Sequence, residues 1–439
     1  MRKTLYLLFI LCLPALQNLN AQSFTLEDCL HMTLEKNAQV KEAKLGEEVA
    51  LQIKKQALTY FFPNVSLLGF GFQASNPMMN IDLGMLGNMA LLKNGILASA
   101  VAVQPIFYGG KILYGNKLAK TGILASKLFT AMKEEEVLLQ TEEYYWLLYS
   151  LYEKRNTVLS MKQVLDTLSK DVQQAYKAGL LGQNEVWKVQ LQKNTLETKG
   201  VELEHGIFLA TMALGRQIGL PVDSLEHIRV MFPEGLTVTN PMELYIEPAS
   251  VIPLRTEYKL LQVGVHAAKL ERKMETSSYL PSLGVGAVYY YENFLDKDQW
   301  NGAVMASVNV PITDWARGSF TIKQKKIEED RARIREEDGR QQLLMQIQQA
   351  WGSYVEAYQK YELAELAVLA SEENVRTSEQ YFKAGTVNLT ELLAARGGLQ
   401  QSRDTKTDAL KDYQLAKSTY LQVTGRYFIK DLPGTQQTF

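Results

Sequence analysis

The chain has 439 residues with 47 basic and 48 acidic side chains, and 46% of its residues are hydrophobic. This apolar content is too high for a disordered chain and ordinary for a folded one. The balanced charge and the absence of a basic stripe argue against a nucleic-acid partner.

The first residues have the pattern of a secretory signal peptide. Arg2 and Lys3 precede a short apolar run, Leu5–Leu13, and residues 19–21 (Leu-Asn-Ala) offer a small residue at the cut. The alternative is an N-terminal membrane anchor, for which this apolar run is too short. We therefore predict a signal peptide at 1–21.

No later stretch has about 18 consecutive apolar residues, the length of a membrane-spanning helix. An exported chain without such a helix either is soluble outside the cytoplasm or crosses a membrane as β-strands. Cys12 has no small residue before it, which argues against lipid attachment there. Cys29 is the only cysteine beyond the predicted signal peptide, so no internal disulfide is expected.

The chain contains an internal duplication with constant spacing. Three features recur 206 residues later, namely Pro105 as Pro311, Lys177-Ala178-Gly179 as Lys383-Ala384-Gly385, and Gly219 as Gly425. Upstream, Gly46 and Pro63 recur 218 residues later as Gly264 and Pro281. Because packed helices do not tolerate insertions and loops do, a loop of unequal length must lie between Pro63 and Pro105.

This duplication predicts the organisation of the whole chain. The predicted order is a signal peptide (1–21), a first repeat (22–219), a connector or equatorial segment of irregular structure or short strands (220–254), a second repeat (255–425) and a C-terminal tail (426–439). The first repeat comprises a helix, a strand hairpin at about 64–105, a long helix, a tip turn at 177–183 and another helix. The second repeat has its hairpin at about 282–311 and its tip turn at 383–388.

Two proline-free stretches, 111–176 and 317–382, predict helices of about 65 residues, each roughly 100 Å long. A heptad pattern in both predicts coiled-coil packing. Its a positions are Val137, Tyr144, Leu151, Val158, Leu165 and Val172 in the first copy, and Leu343, Ala350, Ala357, Ala364, Ser371 and Ser378 in the second. The d positions of the first copy are Gln140, Leu147, Lys154, Met161, Leu168 and Ala175.

Each proline-bounded segment alternates apolar and small or polar residues with the period of a strand. Strands are predicted at Asn64–Phe72 and Leu97–Gln104, and from Ser282 and Val304 onward with a polar loop at Glu292–Asn301 between them. Tyr289, Tyr290 and Tyr291 are typical of an interfacial aromatic girdle. Four strands cannot close a barrel, whereas three chains would supply twelve.

In the order of these features the chain resembles the TolC-type outer-membrane efflux proteins. The resemblance covers Thr25-Leu26 and a helix ending at Asn37, both hairpins and both glycine turns. It implies a mainly α fold with a β-hairpin part: a duplicated long-helix coiled-coil tunnel and a trimeric 12-strand outer-membrane β-barrel with four strands per chain. Departures are Asn37-Ala38, where the family has Asn-Pro, and the lack of an acylation cysteine.

The resemblance also implies that the two turns lie at a periplasmic tip that docks an adaptor protein. The contact residues would be Ala178, Gly179, Leu180, Ala384, Gly385 and Thr386. A purely structural interpretation is also open, because Gly179 and Gly385 stand where a left-handed residue ends a helix.

Glu185 and Glu391 follow the turns and have two interpretations. Asn388 and Glu391 fit a full capping box, with Gly182 and Glu185 in the equivalent places. Alternatively, threefold symmetry would place the carboxylates in acidic rings at the pore mouth. The family's second acid is Lys188 or Ala394 here, and Lys188 could pair with a neighbouring carboxylate.

The chain shows no nucleophile elbow, phosphate loop or zinc-protease motif, so we predict no enzymatic activity and no cofactor. His31, His205, His227 and His266 lack metal-ligand spacing, and Met78, Met79, Met85 and Met89 fit a flexible or barrel-plugging loop better than a metal site. No metal site is predicted.

The sequence therefore favours an exit duct of a tripartite efflux pump, in the outer membrane of a Gram-negative bacterium and extending into the periplasm. The expected partners are two further copies, a periplasmic adaptor, an inner-membrane transporter that supplies energy, and outer-membrane lipid. The alternatives are the outer-membrane channel of a type I protein secretion system and a secreted coiled-coil scaffold without a pore.

Overall fold

The structure is a computed structural model that describes residues 23–82, 88–91, 93–221, 229–233, 235–294 and 298–427. The predicted signal peptide, Cys12, Met85 and residues 428–439 of the predicted tail lie outside the described residues.

Helices make up most of the described chain. They are α1 (Leu26–Lys36), α2 (Ala38–Thr59), α3 (Lys111–Lys177), α4 (Gln183–Gln217), α5 (Pro248–Val251), α6 (Thr256–Ser277), α7 (Asp314–Lys383) and α8 (Leu389–Val423). The helices α3 and α7 have 67 and 70 residues, which confirms the two long helices predicted from the proline-free stretches.

Eight strands are described: β1 (Ser23–Phe24), β2 (Asn64–Gln73), β3 (Met79–Asp82), β4 (Asn88–Leu91), β5 (Asn94–Tyr108), β6 (Arg229–Val230), β7 (Ser282–Glu292) and β8 (Gln299–Asn309). The main sheet is antiparallel with the order β2-β5-β7-β8. β1 pairs with β6 in parallel, and β3 pairs with β4. The predicted four strands per chain are confirmed, and the β3–β4 hairpin inside the first loop was not predicted.

Two strand boundaries differ from the prediction. β5 was predicted to end at Gln104, but it continues to Tyr108 because its register with β7 shifts between Pro105 and Phe107. Proline has no N–H to donate to a sheet, and such a shift accommodates it. β8 begins at Gln299 rather than Val304, so the polar loop before it is shorter than predicted.

The chain forms two compact units that do not coincide with the two repeats. The first unit comprises Met1–Glu42, Met132–Arg255 and Leu344–Phe439, and the second comprises Ala43–Ala131 and Thr256–Leu343. Each unit draws segments from both repeats, so neither repeat packs as a unit by itself. The proposed repeat boundaries concern sequence duplication and stay a prediction.

The first unit is built on the predicted heptads. The buried a positions are Val137, Val158, Leu165 and Val172 in α3, and Ala350, Ala357, Ala364 and Ser378 in α7. Ser371 is half-buried, and its hydroxyl lies 2.8 Å from that of Ser402 in α8. The heptad interpretation is confirmed at these positions, including the small residues of the α7 seam.

Aromatic side chains attach the connector to the first unit. The hydroxyls of Tyr413 and Tyr420, seven residues apart on α8, accept hydrogen bonds from the backbone N–H groups of Thr239 and Ile246 at 3.0 and 3.1 Å. The Tyr145 hydroxyl donates to the Met231 carbonyl oxygen at 2.7 Å. The described residues of the connector form short 3₁₀ and α turns and the strand β6.

Candidate functional site

Both glycine turns end their long helices in the same way. Gly179 has φ +73° and Gly385 has φ +75°. The N–H of Leu180 donates to the Ala175 carbonyl at 2.9 Å, and the N–H of Thr386 donates to the Tyr381 carbonyl at 2.9 Å. These six-to-one bonds, with a left-handed glycine before the donor, form a Schellman motif. The predicted role of both glycines in ending a helix is confirmed.

The six residues predicted to contact an adaptor are all exposed. Leu180 leaves 78% of its surface uncovered, so the first turn presents an apolar side chain. Thr386 occupies the equivalent place in the second turn, and its hydroxyl donates to the Tyr381 carbonyl at 3.0 Å. The turns are therefore accessible but chemically unequal, and their docking role stays a prediction.

The predicted full capping box at the start of α8 is only half formed. The Asn388 side chain accepts a hydrogen bond from the Glu391 N–H at 3.0 Å, as expected for a capping residue. Among the described residues, the Glu391 carboxylate returns no bond to the Asn388 N–H, and this part of the prediction is wrong. The full box is present at α1, between Thr25 and Asp28. The Glu391 carboxylate is exposed and has no ion-pair partner within the described chain.

Glu185 differs from Glu391 because a lysine neutralises it. The Lys188 ammonium donates to the Glu185 carboxylate at 2.7 Å and to the Thr390 hydroxyl at 2.9 Å. The side chain of Glu185 is only 22% exposed. The sequence-based suggestion that Lys188 pairs with a nearby carboxylate is confirmed, and it leaves Glu391 as the free acid of the pair.

The helix pairs α3–α4 and α7–α8, which we call the helix hairpins, pack against each other at the ends that carry the glycine turns. Leu389 and Leu392 of α8 share one apolar cluster with Leu168, Val172 and Val189 of the first repeat. The hydrogen bond from Lys188 to Thr390 joins the same two hairpins. Both turns therefore belong to one packed end of the first unit.

Further ionic contacts between the hairpins were missed by the sequence reasoning. Lys199 of α4 forms an ion pair with the buried Asp404 of α8 at 2.5 Å. Lys154 of α3 pairs with Asp408, one helical turn further along α8, at 2.7 Å. The spacing of the two aspartates places them on one helix face, but only the packing shows which lysines they meet.

Arg396 of α8 was also missed. It forms an ion pair with Glu379 of α7 at 3.0 Å, and burial lowers the pKa of its guanidinium. Its Nε and Nη1 atoms are buried without a hydrogen-bond partner. A cavity of about 390 Å³, lined in part by Val164 and Leu392, borders this pair.

The sheet of the second unit has one mainly apolar face, whose polar exceptions are Gln73 of β2 and Asn94 and Gln104 of β5. The strand register places these residues on it: Val65, Leu67, Gly69 and Gly71 of β2, Ile96, Ala98, Ala100 and Ala102 of β5, Leu283, Val285, Ala287, Tyr289 and Tyr291 of β7, and Trp300, Gly302, Val304, Ala306 and Val308 of β8. We call it the apolar face. The exposed fractions of Leu67 and Val304 are 83% and 85%, so no described residue covers these two positions in the middle of the face.

The opposite face, which we call the mixed face, carries most of the polar residues of the same strands. They are Asn64, Ser66, Ser99, Ser282, Tyr290, Glu292, Gln299, Asn301, Ser307 and Asn309. A sheet with one apolar and one mixed face, both uncovered, has the alternation of a strand between lipid and a water-filled lumen.

Aromatic side chains border the apolar face at both ends of the strands. At the hairpin end, the Trp300 ring lies 5.6 Å from the Tyr289 ring and 5.1 Å from the Tyr291 ring. At the helix end, the exposed aromatic residues are Tyr60, Phe61, Phe62, Phe107 and Tyr108. Two aromatic bands flanking an apolar strip are typical of membrane interfaces. Tyr290 is on the mixed face, so it does not belong to the predicted girdle.

Comparisons with known proteins agree with this architecture. Residues 260–426 match the family model described as outer membrane efflux protein. Over this segment the chain is similar to the outer membrane efflux proteins. The predicted outer-membrane location and the predicted lack of enzymatic activity agree with this likeness. No curated protein matches the sequence of this chain.

Solved structures share the fold of this chain along almost its whole length. The Campylobacter jejuni CmeC outer membrane channel superposes with a TM-score of 0.79 at 14% identity, covering 92% of this chain and 87% of that one. The Vibrio cholerae outer membrane protein VceC gives 0.76 at 14% identity, covering 91% and 96%. The Neisseria gonorrhoeae MtrE outer membrane channel gives 0.72 at 14% identity, covering 92% and 89%. At such identities the likeness establishes the fold, and the predicted fold class is confirmed.

Among the described residues, no helix has both the length and the apolarity to cross a membrane. The described chain also contains no group of three or more side chains suited to a metal ion.

Proposed function

We propose that three copies of this chain form an exit duct through the outer membrane, as the outermost part of a tripartite efflux pump. Small molecules would pass from the periplasm to the exterior, and inner-membrane partners would supply the energy. The observation that carries the proposal is the four-stranded sheet, whose apolar face is uncovered and whose edge strands β2 and β8 have no neighbour within the described chain.

A membrane-embedded sheet cannot leave its edges unpaired, because each free N–H or C=O group in lipid costs several kcal/mol. Pairing β8 of one copy with β2 of the next satisfies both edges. Three copies give twelve strands, a barrel wide enough for a lumen.

The adaptor is proposed to dock at the two glycine turns. They are exposed, and they occur twice per chain. Three copies would present six turns around one mouth. Glu391 is proposed to line that mouth with a free negative charge.

Membrane fractionation tests the duct. We expect a detergent-stable oligomer in the outer-membrane fraction, and recovery of a soluble monomer would favour the coiled-coil scaffold instead. The docking role is tested with Gly179→Trp and Gly385→Trp, which should impair export while the oligomer still assembles. Thr198→Trp, at an exposed site on α4 away from the turns, is the matched control. Loss of the oligomer in either glycine variant would mean that the turns matter mainly for folding.

A further inference from the structure

Three phenylalanine rings form a contact cluster on the mixed face, at the hairpin end of the sheet. The rings of Phe70 and Phe72 lie 6.0 Å apart and nearly parallel, and those of Phe72 and Phe294 lie 5.9 Å apart. Phe70 is 55% exposed. We refer to these three residues as the phenylalanine cluster.

The strand between them is adapted to this cluster. Phe72 of β2 pairs with Gly95 of β5, and Phe294 lies two residues after the end of β7, on the other side of β5. A Cβ atom at residue 95 would lie 2.5 Å from Cδ1 of Phe294 and 3.2 Å from Cε1 of Phe72. The absence of a side chain at Gly95 therefore lets the two rings meet across the β5 backbone.

The cluster is on the face where lipid anchoring cannot explain it. Tyr289, Tyr291 and Trp300 occupy the apolar face at the same end of the sheet and suffice as interfacial anchors. The mixed face around the cluster carries Ser99, Asn301 and Glu292. Anchoring in lipid therefore does not account for exposed phenylalanine rings on this face.

We propose that the phenylalanine cluster forms an apolar constriction at the outer mouth of the pore. The inference rests on the proposed function, because it needs three copies around one lumen with the mixed face inward. The hairpin ends are opposite the strand ends that join the helices, so they face the exterior when the helices are periplasmic. Twelve tilted strands spaced by about 4.8 Å enclose a barrel about 24 Å across, and three inward ring clusters narrow it markedly.

An apolar constriction disfavours hydrated ions because it offers no groups to replace their water, whereas apolar cargo passes it. The cluster thus limits the leak of ions and small polar solutes from outside through a duct that is otherwise water-filled. The apolar character of the cluster would set which solutes the outer mouth admits, separately from any effect of Glu391 beside the second glycine turn.

Single-channel conductance in planar bilayers tests the constriction. The triple variant Phe70→Ala/Phe72→Ala/Phe294→Ala should conduct KCl about 1.5- to 2-fold better than the wild-type oligomer. Leu67→Ala, on the apolar face of the same strand, is the control and should leave the conductance unchanged. Gly95→Ala removes no ring but displaces Phe294, so it should change the conductance without altering oligomer yield.

The outcomes separate the two proposals. Wild-type protein that forms no channel contradicts the proposed duct itself. Channels whose conductance is the same with and without the three rings overturn the constriction while leaving the duct intact. If the triple variant does not insert, Phe294→Ala decides, because residue 294 lies outside the strand ladder, and an unchanged conductance there overturns the constriction.

Discussion

Glu391 and Glu185 occupy equivalent places in the two repeats but differ in their charge environment. Glu391 is exposed and free, whereas Glu185 is bound by Lys188. Of these two glutamates, only Glu391 then contributes an unpaired charge to the proposed mouth. Helix capping does not require its side chain, because the observed cap uses the Asn388 side chain and the Glu391 backbone.

We predict that Glu391→Gln lowers the cation preference of the channel by about twofold or more, because a ring of three carboxylates concentrates cations. The reversal potential across a KCl gradient measures this preference. The control is the double variant Glu185→Gln/Lys188→Gln, which removes both charges of a neutral pair and should leave the potential unchanged. A loss of cation preference in the control and not in Glu391→Gln would mean that the Glu185–Lys188 pair, and not Glu391, sets the preference.

Glu142 is a buried glutamate of α3, and its carboxyl group contacts Tyr427 at the end of the described chain. The Tyr427 hydroxyl donates to its Oε1 at 2.6 Å, and its Oε2 has no hydrogen-bond partner. Burial is the main cause that raises the pKa of Glu142, opposed by hydrogen bonds from Ser418 and Tyr427. Glu27 raises this pKa further, while Lys417 lowers it.

This shift predicts a stability that falls as the pH rises. Below the ordinary glutamate pKa of about 4.3, both folded and unfolded chains keep the proton. Between that value and the raised pKa only the folded state holds the proton, so the free energy of unfolding decreases with pH. Glu142→Gln cannot ionise and still accepts from Tyr427. Its unfolding midpoint should match the wild type at pH 4 and exceed it at pH 8.

Denaturant unfolding of the detergent-solubilised protein across this pH range checks the prediction. Glu143→Gln, at the exposed neighbouring position, should follow the wild-type curve throughout. A Glu142→Gln variant that is less stable than the wild type at pH 8 would show that the charged carboxylate stabilises the fold.

At the scale of elements, the contacts between the two hairpins combine small apolar seams with a few buried ions. The carboxylate of Asp404 is 8% exposed and one of its oxygens has no partner, so its charge depends on Lys199. Removing one member of a buried pair costs more than removing both, because the remaining charge stays desolvated.

Lys199→Met should therefore destabilise the protein by about 2 kcal/mol, below the roughly 3–5 kcal/mol of a fully buried pair because Lys199 is partly exposed. The double variant Lys199→Met/Asp404→Leu should recover most of that loss. A double-mutant cycle by denaturant unfolding measures the coupling. Arg376→Met, which breaks the exposed pair with Glu373 on α7, should leave the free energy of unfolding nearly unchanged because water screens that pair. Equal losses in the single and double Lys199 variants would contradict the argument.

The elements differ in how far the sequence predicts them. The helices α3 and α7 follow from proline-free heptads, and the glycine turns follow from a duplicated motif, because both depend on local chain geometry. The extension of β5 beyond Pro105, the lysine partners of Asp404 and Asp408, and the packing of Tyr413 and Tyr420 against the connector depend on neighbours distant in sequence. The Phe70–Phe72–Phe294 contact across Gly95 is of the same kind, since it joins β2 to the loop after β7 across β5.

At the scale of the whole molecule, the proposed duct requires that the two faces of the sheet meet different solvents. Val304 and Met305 are neighbours in the middle of β8, and both are exposed in the single chain. Val304 lies on the apolar face and Met305 on the mixed face. In a soluble scaffold both side chains would face water. In a membrane barrel Val304 would face lipid and Met305 would face the lumen.

Val304→Arg should therefore impair membrane assembly, because an arginine facing lipid near the bilayer midplane costs roughly 2–4 kcal/mol in transmembrane barrels. Met305→Arg carries the same side chain into the lumen and should assemble nearly as well as the wild type. The measurement is the yield of heat-sensitive oligomer in the outer-membrane fraction, with total protein level as the reference. Equal yields for the two variants would mean that the faces do not distinguish lipid from water, and the barrel would have to be abandoned.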